Sequence, residues 1–166
     1  MSILIACIGN IFQGDDAFGC EVAKVLAARS IARDVRVVDY GIRGLDLAYA
    51  LMDGPELTIL VDVVSRGYSP GTLYTIEPDV DNLEDLEPSQ LDAHSMDPLQ
   101  VLRSAKAMGG KLGRILLVGC EPGHLGGEQG HMGLTPPVSA SIQEAADMVE
   151  CLVANELQNE LQEVAQ

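Results

Sequence analysis

The N-terminal stretch reads Ile3-Leu4-Ile5-Ala6-Cys7-Ile8, followed by Gly9-Asn10-Ile11-Phe12-Gln13-Gly14-Asp15-Asp16. The apolar run predicts a buried strand that ends at a polar, glycine-containing turn. Apolar residues at helical spacing follow over residues 22–26. The stretch therefore predicts a strand, a loop and a helix. Asp15 and Asp16 lie near the helix N-terminus, where exposed backbone N–H groups favour acidic side chains.

The rest of the chain alternates between apolar runs of strand length and patterns of helical spacing. Strands are predicted at residues 2–8, 33–39, 57–63, 72–76 and 114–119. Helices are predicted at residues 16–30, 45–52, 96–108 and from Thr135-Pro136-Pro137 onward, with Ser95 as the N-cap of the third helix. The resulting order is β-α-β-α-β-β-α-β-α.

This order predicts the α/β class, with a three-layer α/β/α architecture around a mostly parallel, twisted sheet of five strands. The run at 57–63 has the most continuous apolar character and is expected at the centre of the sheet. The strand at 72–76 follows it closely and alternates, so it is expected to be antiparallel or to lie at an edge. The chain has 166 residues and no composition shift that marks a linker, which predicts one domain over residues 1–166.

Composition argues against several classes of function. The formal net charge of −15 argues against nucleic-acid binding, because phosphate backbones are bound by clustered Lys and Arg. No apolar run reaches about 18 residues and the N-terminus lacks the features of a signal peptide, so we expect a cytoplasmic protein without membrane association. Four cysteines form no Cys-x-x-Cys pair and are expected to be reduced core residues: Cys7, Cys20, Cys120 and Cys151.

Three polar residues are expected near one edge of the sheet. Asp16 follows the first strand, Asp62 lies near the end of the third strand, and His94 precedes the third helix. In open α/β sheets, ligands bind beyond the carboxyl ends of the strands. Two carboxylates and one imidazole can bind a divalent metal and leave positions open for water or substrate, as in catalytic sites. Such an ion could polarise a peptide carbonyl and generate a hydroxide-like nucleophile.

Other polar residues have less specific explanations. His124 and His131 lie among glycines and are expected to be solvated or to stabilise a surface loop. For Asp15, capping of the first helix and a functional role are equally supported. The segment from Gly9 to Gly14 is not followed by the Gly-Lys-Ser/Thr of a phosphate loop, and the chain has no Gly-x-Ser-x-Gly motif of a serine hydrolase.

The segment from Ile8 to Gly19, with Gly9-Asn10 and Asp15-Asp16, resembles the N-terminal signature of the hydrogenase maturation endopeptidases of the HybD/HycI type. These proteases process the large subunits of nickel-iron hydrogenases. Ala17 takes a place that glycine often holds in the family. Further stretches resemble the family in order along the chain, at residues 39–47, 59–64, 94–95, 118–122 and 133–138.

The resemblance implies that Asp16, Asp62 and His94 are the catalytic and metal-binding residues of a metal-dependent endopeptidase. The implied reaction is one cut near the C-terminus of a nickel-iron hydrogenase large-subunit precursor, after nickel insertion. The implied metal is nickel, either bound by the protease itself or supplied by the precursor, and another divalent metal could replace it in vitro. The implied partner is this precursor, and the protease is expected to act as a monomer.

Outside the metal site, Arg43 and the acidic segment 77–97 are candidates for docking the precursor. A solvated loop is the simpler explanation for each of these residues taken singly. Asp39 ends the second predicted strand at the same edge of the sheet. It could position the metal-binding residues without binding the metal itself.

Two alternatives stay open. A magnesium-dependent phosphoacceptor receiver module, which is a signalling switch, also has two acids after its first strand and an aspartate at the end of its third strand. It would carry a lysine after its last strand, where this chain has Gly119-Cys120-Glu121-Pro122, and neither His94 nor the hairpin-like region 64–76 fits it. A metal-independent binding scaffold is the other alternative, because a fold does not determine a function.

Overall fold

The computed structural model describes residues 1–32, 34–83 and 96–164. All predicted strands and helices are present, together with one 3₁₀ turn. In chain order the elements are β1 (Ile3–Ile8), the 3₁₀ turn (Gly14–Ala17), α1 (Phe18–Ala27), β2 (Val35–Gly41), α2 (Gly44–Met52), β3 (Leu57–Val63), β4 (Leu73–Ile76), α3 (Pro98–Ala107), β5 (Arg114–Cys120) and α4 (Pro136–Val164).

The first helix is shorter than the predicted range 16–30, because the 3₁₀ turn precedes α1 as a separate element. The turn is set by backbone bonds to the preceding loop. The N–H of Asp16 donates to the carbonyl of Gln13, and the carbonyl of Asp16 accepts from the N–H of Asn10. These hydrogen bonds hold the turn against the end of β1, and the α-helix begins only after it, at Phe18.

Two further elements, β2 and α3, begin two residues later than predicted. β2 lies at Val35–Gly41 rather than at 33–39, and pairs in parallel with β1 as far as Gly41. The N-cap of α3 is Asp97 rather than Ser95, because the Asp97 carboxylate accepts from the N–H of Leu99 at 2.9 Å.

The sheet has the strand order β2-β1-β3-β5-β4. β1, β2, β3 and β5 are parallel, whereas β4 pairs antiparallel with β5 at one edge of the sheet. This confirms the mostly parallel sheet and both expectations for the fourth strand. Because parallel strands end on the same side, the loops after β1, β2, β3 and β5 meet at one margin, which we call the carboxyl edge.

The two faces of the sheet are covered by different helices. Ile5 and Ile59 pack with α1 and α4, whereas Leu4 and Leu60 pack with α2 and α3. This gives the three-layer α/β/α architecture. Since side chains alternate between faces along a strand, Asp62 projects on the face of Leu60, toward the layer of α2 and α3.

The start of α1 is in direct contact with the strands. A Cβ atom on Gly19 would lie 2.0 Å from the carbonyl oxygen of Ile8 and 2.6 Å from that of Val61. Only a glycine permits the helix to approach this closely. The approach holds the preceding 3₁₀ turn, which contains Asp16, over the ends of β1 and β3.

The cysteine prediction is confirmed for Cys7, Cys20 and Cys120, which are buried free thiols, and is wrong for Cys151, which is exposed. Cys151 lies two residues after Val149, which packs in the core. Two residues of α-helix turn a side chain to the opposite side, so Cys151 projects away from the sheet. In the part of the chain that the structure describes, no helix is both long and apolar enough to cross a membrane.

Candidate active site at the carboxyl edge

Asp62 is a buried carboxylate near the end of β3. Its residue is 1% exposed, and Oδ1 accepts a hydrogen bond from the N–H of Val63 at 2.7 Å. Oδ2 is buried and has no hydrogen-bond partner among the described residues. Burial raises the pKa of Asp62 well above its ordinary value, and the charge of Asp16 raises it further, against the effect of the Val63 N–H. An unpartnered buried carboxylate oxygen of this kind is suited to a proton or a cation.

Asp16 lies in the 3₁₀ turn and is 3% exposed. Its Oδ2 accepts from the N–H of Asn10 at 3.0 Å. Burial raises the pKa of Asp16 to about 6, and the Asn10 N–H limits this rise. Gly9 permits the close approach of the turn, because a Cβ there would lie 2.0 Å from the Asp16 carbonyl oxygen. The loop after β1 is therefore shaped around Asp16.

Two of the three predicted site residues are brought to the same edge of the sheet. The charge of Asp16 acts on Asp62, and so does that of Asp97 at the start of α3. His94 lies outside the described residues, so its approach to the pair stays a prediction. Among residues 1–32, 34–83 and 96–164, no three His, Cys, Asp or Glu side chains gather in a group that could hold a metal ion.

Asp15 has a structural role that the local sequence pattern did not indicate. Its carboxylate accepts from the N–H groups of Gly123, His124 and Thr135 and from the Thr135 hydroxyl, at 2.6–2.9 Å. Burial acts to raise the pKa of Asp15, but these hydrogen bonds outweigh it and lower the pKa below its ordinary value. Helix capping is therefore the wrong explanation, because Asp15 fastens the 3₁₀ turn to the loop before α4.

Glu121 is a second structural carboxylate, and sequence reasoning missed it. It directly follows β5, is buried, and accepts from the N–H groups of Arg66 at 2.8 Å and Gly67 at 3.1 Å. It thereby holds the loop between β3 and β4. An acidic residue directly after a buried strand was the available signal.

Of the remaining candidates, Asp39 lies near the end of β2 and Arg43 lies just after β2, both at the carboxyl edge. Arg43 donates to the backbone carbonyls of Tyr40 and Asp39, and the Asp39 carboxylate accepts from the N–H of Gly41 at 2.9 Å. Both residues therefore stabilise the loop after β2. In the acidic segment, Glu77 pairs with Arg114 at 2.7 Å, whereas residues 84–95 lie outside the described residues.

An apolar groove opens beside Asp16, between the loops that follow β1 and β2. Its volume is about 360 Å³, and Cys20 is among the residues that line it. Three large apolar side chains on these loops are exposed: Ile11, Phe12 and Ile42. Exposed apolar groups clustered beside a site indicate a surface that contacts a partner.

His124 and His131 are exposed, as expected, and they lie on the loop that Asp15 fastens. Their backbones stabilise the neighbouring turn. The N–H of Asp15 donates to the His124 carbonyl at 2.9 Å, and the N–H of Gly14 donates to the His131 carbonyl at 2.7 Å.

Comparisons with known proteins agree with one another. A sequence model of the hydrogenase maturation protease family matches residues 20–151. The chain is 30% identical to the hydrogenase 2 maturation protease of Escherichia coli over 150 residues, which are 90% of this chain and 88% of that protein. It is 32% identical to the coenzyme F420 hydrogenase subunit delta of Methanothermobacter thermautotrophicus over 152 residues, covering 89% and 91%. The structure is similar to that of the hydrogenase maturating endopeptidase HybD from E. coli, with a TM-score of 0.77, 28% identity and 94% of each chain covered.

Proposed function

Since the chain belongs to the hydrogenase maturation protease family, we propose that it removes a C-terminal extension from the nickel-loaded precursor of a nickel-iron hydrogenase large subunit. Membership of the family makes the chain a protease of hydrogenase maturation. The specific cut, the use of nickel and the residues that act are the proposal. The protein would act as a monomer in the cytoplasm.

The observation that carries the proposal is the pair of buried carboxylates, Asp16 and Asp62, at the carboxyl edge. Two acids that are buried together destabilise the folded protein. Such an arrangement is typical of active sites. It lies where ligands bind to sheets of this kind.

The side chains available fit a divalent metal. Asp62 offers a buried oxygen without a partner in the described part of the chain, and Asp16 offers a second carboxylate. With the imidazole of His94, they would form a mixed oxygen and nitrogen ligand set. We assign the nickel to the precursor, so that it belongs to the substrate. When bound at this edge, nickel would supply Lewis acidity toward a peptide carbonyl or a water molecule.

The proposed role of Asp16 in the cut is to hold and transfer a proton. Its pKa of about 6 lets the carboxylate change protonation state near neutral pH, which suits general acid–base catalysis. The proposed role of Asp62 is to contact the metal centre of the precursor through Oδ2.

The apolar groove and its rim are the proposed docking surface for the precursor. Phe12 and Ile42 are 58% and 61% exposed and lie on the loops after β1 and β2 that border the groove. An extended segment of the precursor that carries apolar side chains would cover them. The receiver alternative is not supported, because the position after β5, where a receiver would carry a lysine, holds Glu121, whose carboxylate accepts from backbone N–H groups.

The test uses purified precursor in nickel-loaded and nickel-free forms. Each form is incubated with wild type, Asp16→Asn, Asp62→Asn or His94→Asn, and its C-terminal mass is measured by intact-protein mass spectrometry. Asp53→Asn is the matched control, because Asp53 is an exposed acid at the end of α2. We expect shortening of the nickel-loaded form alone, by wild type and Asp53→Asn only.

Two results would contradict parts of the proposal separately. Shortening of both precursor forms at equal rates would rule out recognition of nickel. Full activity of the three site variants would rule out the assigned residues and leave only the family's protease activity.

A further inference from the structure

Two exposed imidazoles lie side by side on the loop between β5 and α4. The ring centroids of His124 and His131 are 5.5 Å apart, and the ring planes are inclined at 75°. The chain has three histidines, so two of the three are neighbours in space. The assigned active site uses neither of them.

The backbone of the loop fixes this proximity. The carbonyls of His124 and His131 accept from the N–H groups of Asp15 and Gly14, and the N–H of His131 donates to the carbonyl of Phe12 at 2.9 Å. The N–H of His124 also donates to the Asp15 carboxylate at 2.9 Å. Both histidines are therefore bonded to one short segment of backbone, which holds their Cα atoms in place whatever rotamers the rings adopt.

The ring separation matches the requirement of a shared metal ion. An imidazole nitrogen binds Zn²⁺ at about 2.0–2.1 Å, which puts the ring centre about 3.2 Å from the ion. Two rings bound at a tetrahedral angle then have centres about 5.2 Å apart, close to the observed 5.5 Å. Both side chains are exposed, so the rings can rotate to direct one nitrogen each toward a shared ion.

We propose that His124 and His131 form a second metal site, which binds a divalent transition-metal ion such as Ni²⁺ or Zn²⁺ separately from Asp16 and Asp62. Imidazole is a preferred ligand of these ions and a poor ligand of Mg²⁺. Within the described residues no third metal-binding side chain completes the set, so water fills the other positions. The negative net charge of the chain attracts cations to its surface.

The site is tested with metal ions alone and does not rest on the proposed cleavage reaction. The His94→Asn variant of the full chain removes the histidine of the assigned active site, so that His124 and His131 are the only histidines left. Ni²⁺, Zn²⁺ and Mg²⁺ are titrated by calorimetry, and the two remaining imidazole signals are followed by NMR. We expect one Ni²⁺ or Zn²⁺ to bind, both signals to respond together, and Mg²⁺ to leave them unchanged.

Further substitution of His124 or His131 by Asn in this variant should weaken binding about tenfold or more, because two fixed ligands act on one ion together. His94→Asn protein that binds no ion, or whose two imidazole signals respond at different metal concentrations, would overturn the proposal. Equal affinity in the double variants would also overturn it. The NMR measurement on His94→Asn needs no second substitution, so it stands even if a double variant is unstable.

Discussion

Asp16 and Asp62 reach the same edge of the sheet from two different segments, and the negative charge of Asp16 raises the pKa of Asp62. Burial is the larger cause of the raised pKa of Asp62 and also raises the pKa of Asp16, and Oδ2 of Asp62 has no hydrogen-bond partner in the described part of the chain. Such a pair reduces the stability of the metal-free protein. Destabilising pairs of this kind are typical of binding and catalytic sites, where stability and activity are often opposed.

The first prediction is that Asp16→Asn stabilises the metal-free protein while it abolishes processing. At pH 7 the substitution removes a buried charge whose pKa is raised from 3.8 to about 6. We expect the free energy of unfolding to rise by about 1–3 kcal/mol, since each pKa unit corresponds to about 1.4 kcal/mol. Urea denaturation in the presence of a chelator measures it, and a loss of stability would contradict the prediction.

The second prediction concerns the pH dependence of this gain. A carboxyl whose pKa is raised in the folded state binds protons more tightly there than in the unfolded chain. The destabilisation that Asp16 causes in the wild type therefore decreases as the pH falls from about 6 to about 4. The difference in the free energy of unfolding between Asp16→Asn and wild type should therefore decrease over this pH range. Urea denaturation at pH 7, 5.5 and 4 checks it. A constant difference would show that the pKa of Asp16 is not raised.

The third prediction concerns Asp15. Asp15→Ala leaves the donors of Gly123, His124 and Thr135 without their acceptor, so we expect a loss of about 3 kcal/mol in the free energy of unfolding at pH 7. Asp53→Ala, an exposed acid, should change it by less than about 0.5 kcal/mol. Chemical denaturation of both variants measures the contrast. Equal losses in the free energy of unfolding for Asp15→Ala and Asp53→Ala would contradict the structural role assigned to Asp15.

The Asp15 contribution has the opposite dependence on pH. Because the folded-state pKa is lowered, the contribution is fully present above the unfolded pKa of about 3.9 and is lost as the pH falls through the folded-state value. The difference in the free energy of unfolding between wild type and Asp15→Ala should therefore decrease only below about pH 3.9.

The fourth prediction concerns the contact between α1 and the strands. Gly19→Ala puts a methyl group against the backbone of Ile8 and Val61, which cannot move independently, and should cost about 3 kcal/mol. At Gly44 the nearest atom to an added Cβ is the flexible side chain of Met96, so Gly44→Ala should cost less than about 1 kcal/mol. Thermal and urea unfolding of the two variants compare them. A larger loss for Gly44→Ala would contradict the packing argument.

The fifth prediction concerns docking of the precursor. Phe12→Ser and Ile42→Ser should each weaken precursor binding about tenfold or more, because each covered apolar side chain contributes about 1.5–3 kcal/mol. Leu161→Ser is the matched control, since Leu161 is 71% exposed. It neighbours Glu160, which pairs with the N-terminal amine before β1, at the opposite margin of the sheet. Calorimetric titration measures the affinities, and an equal loss in the control would exclude the groove as the docking surface.

Much of the fold could be predicted because its signal is local. The apolar run at Leu57–Val63 has the length and continuity of a strand that is buried on both faces, and the structure has it within those bounds. Alternation in residues 72–76 likewise predicted a strand that is antiparallel or lies at an edge, and β4 is both. The bounds of an element were predicted less accurately where its backbone groups form hydrogen bonds with residues that are distant in the sequence. The 3₁₀ turn is one example, since the N–H of Gly14 donates to His131, which no local pattern indicates.

For the candidate site, the sequence by itself determined which residue types stand at the ends of strands, and hence that Asp16 and Asp62 belong to the carboxyl edge. Only the tertiary structure separated the roles of the adjacent acids Asp15 and Asp16. Asp15 accepts hydrogen bonds from residues more than a hundred positions away, whereas Asp16 lies over the strand ends near Asp62. The physical reason is that hydrogen bonding and burial depend on which segments meet in space, and neighbouring side chains in a turn can face entirely different segments.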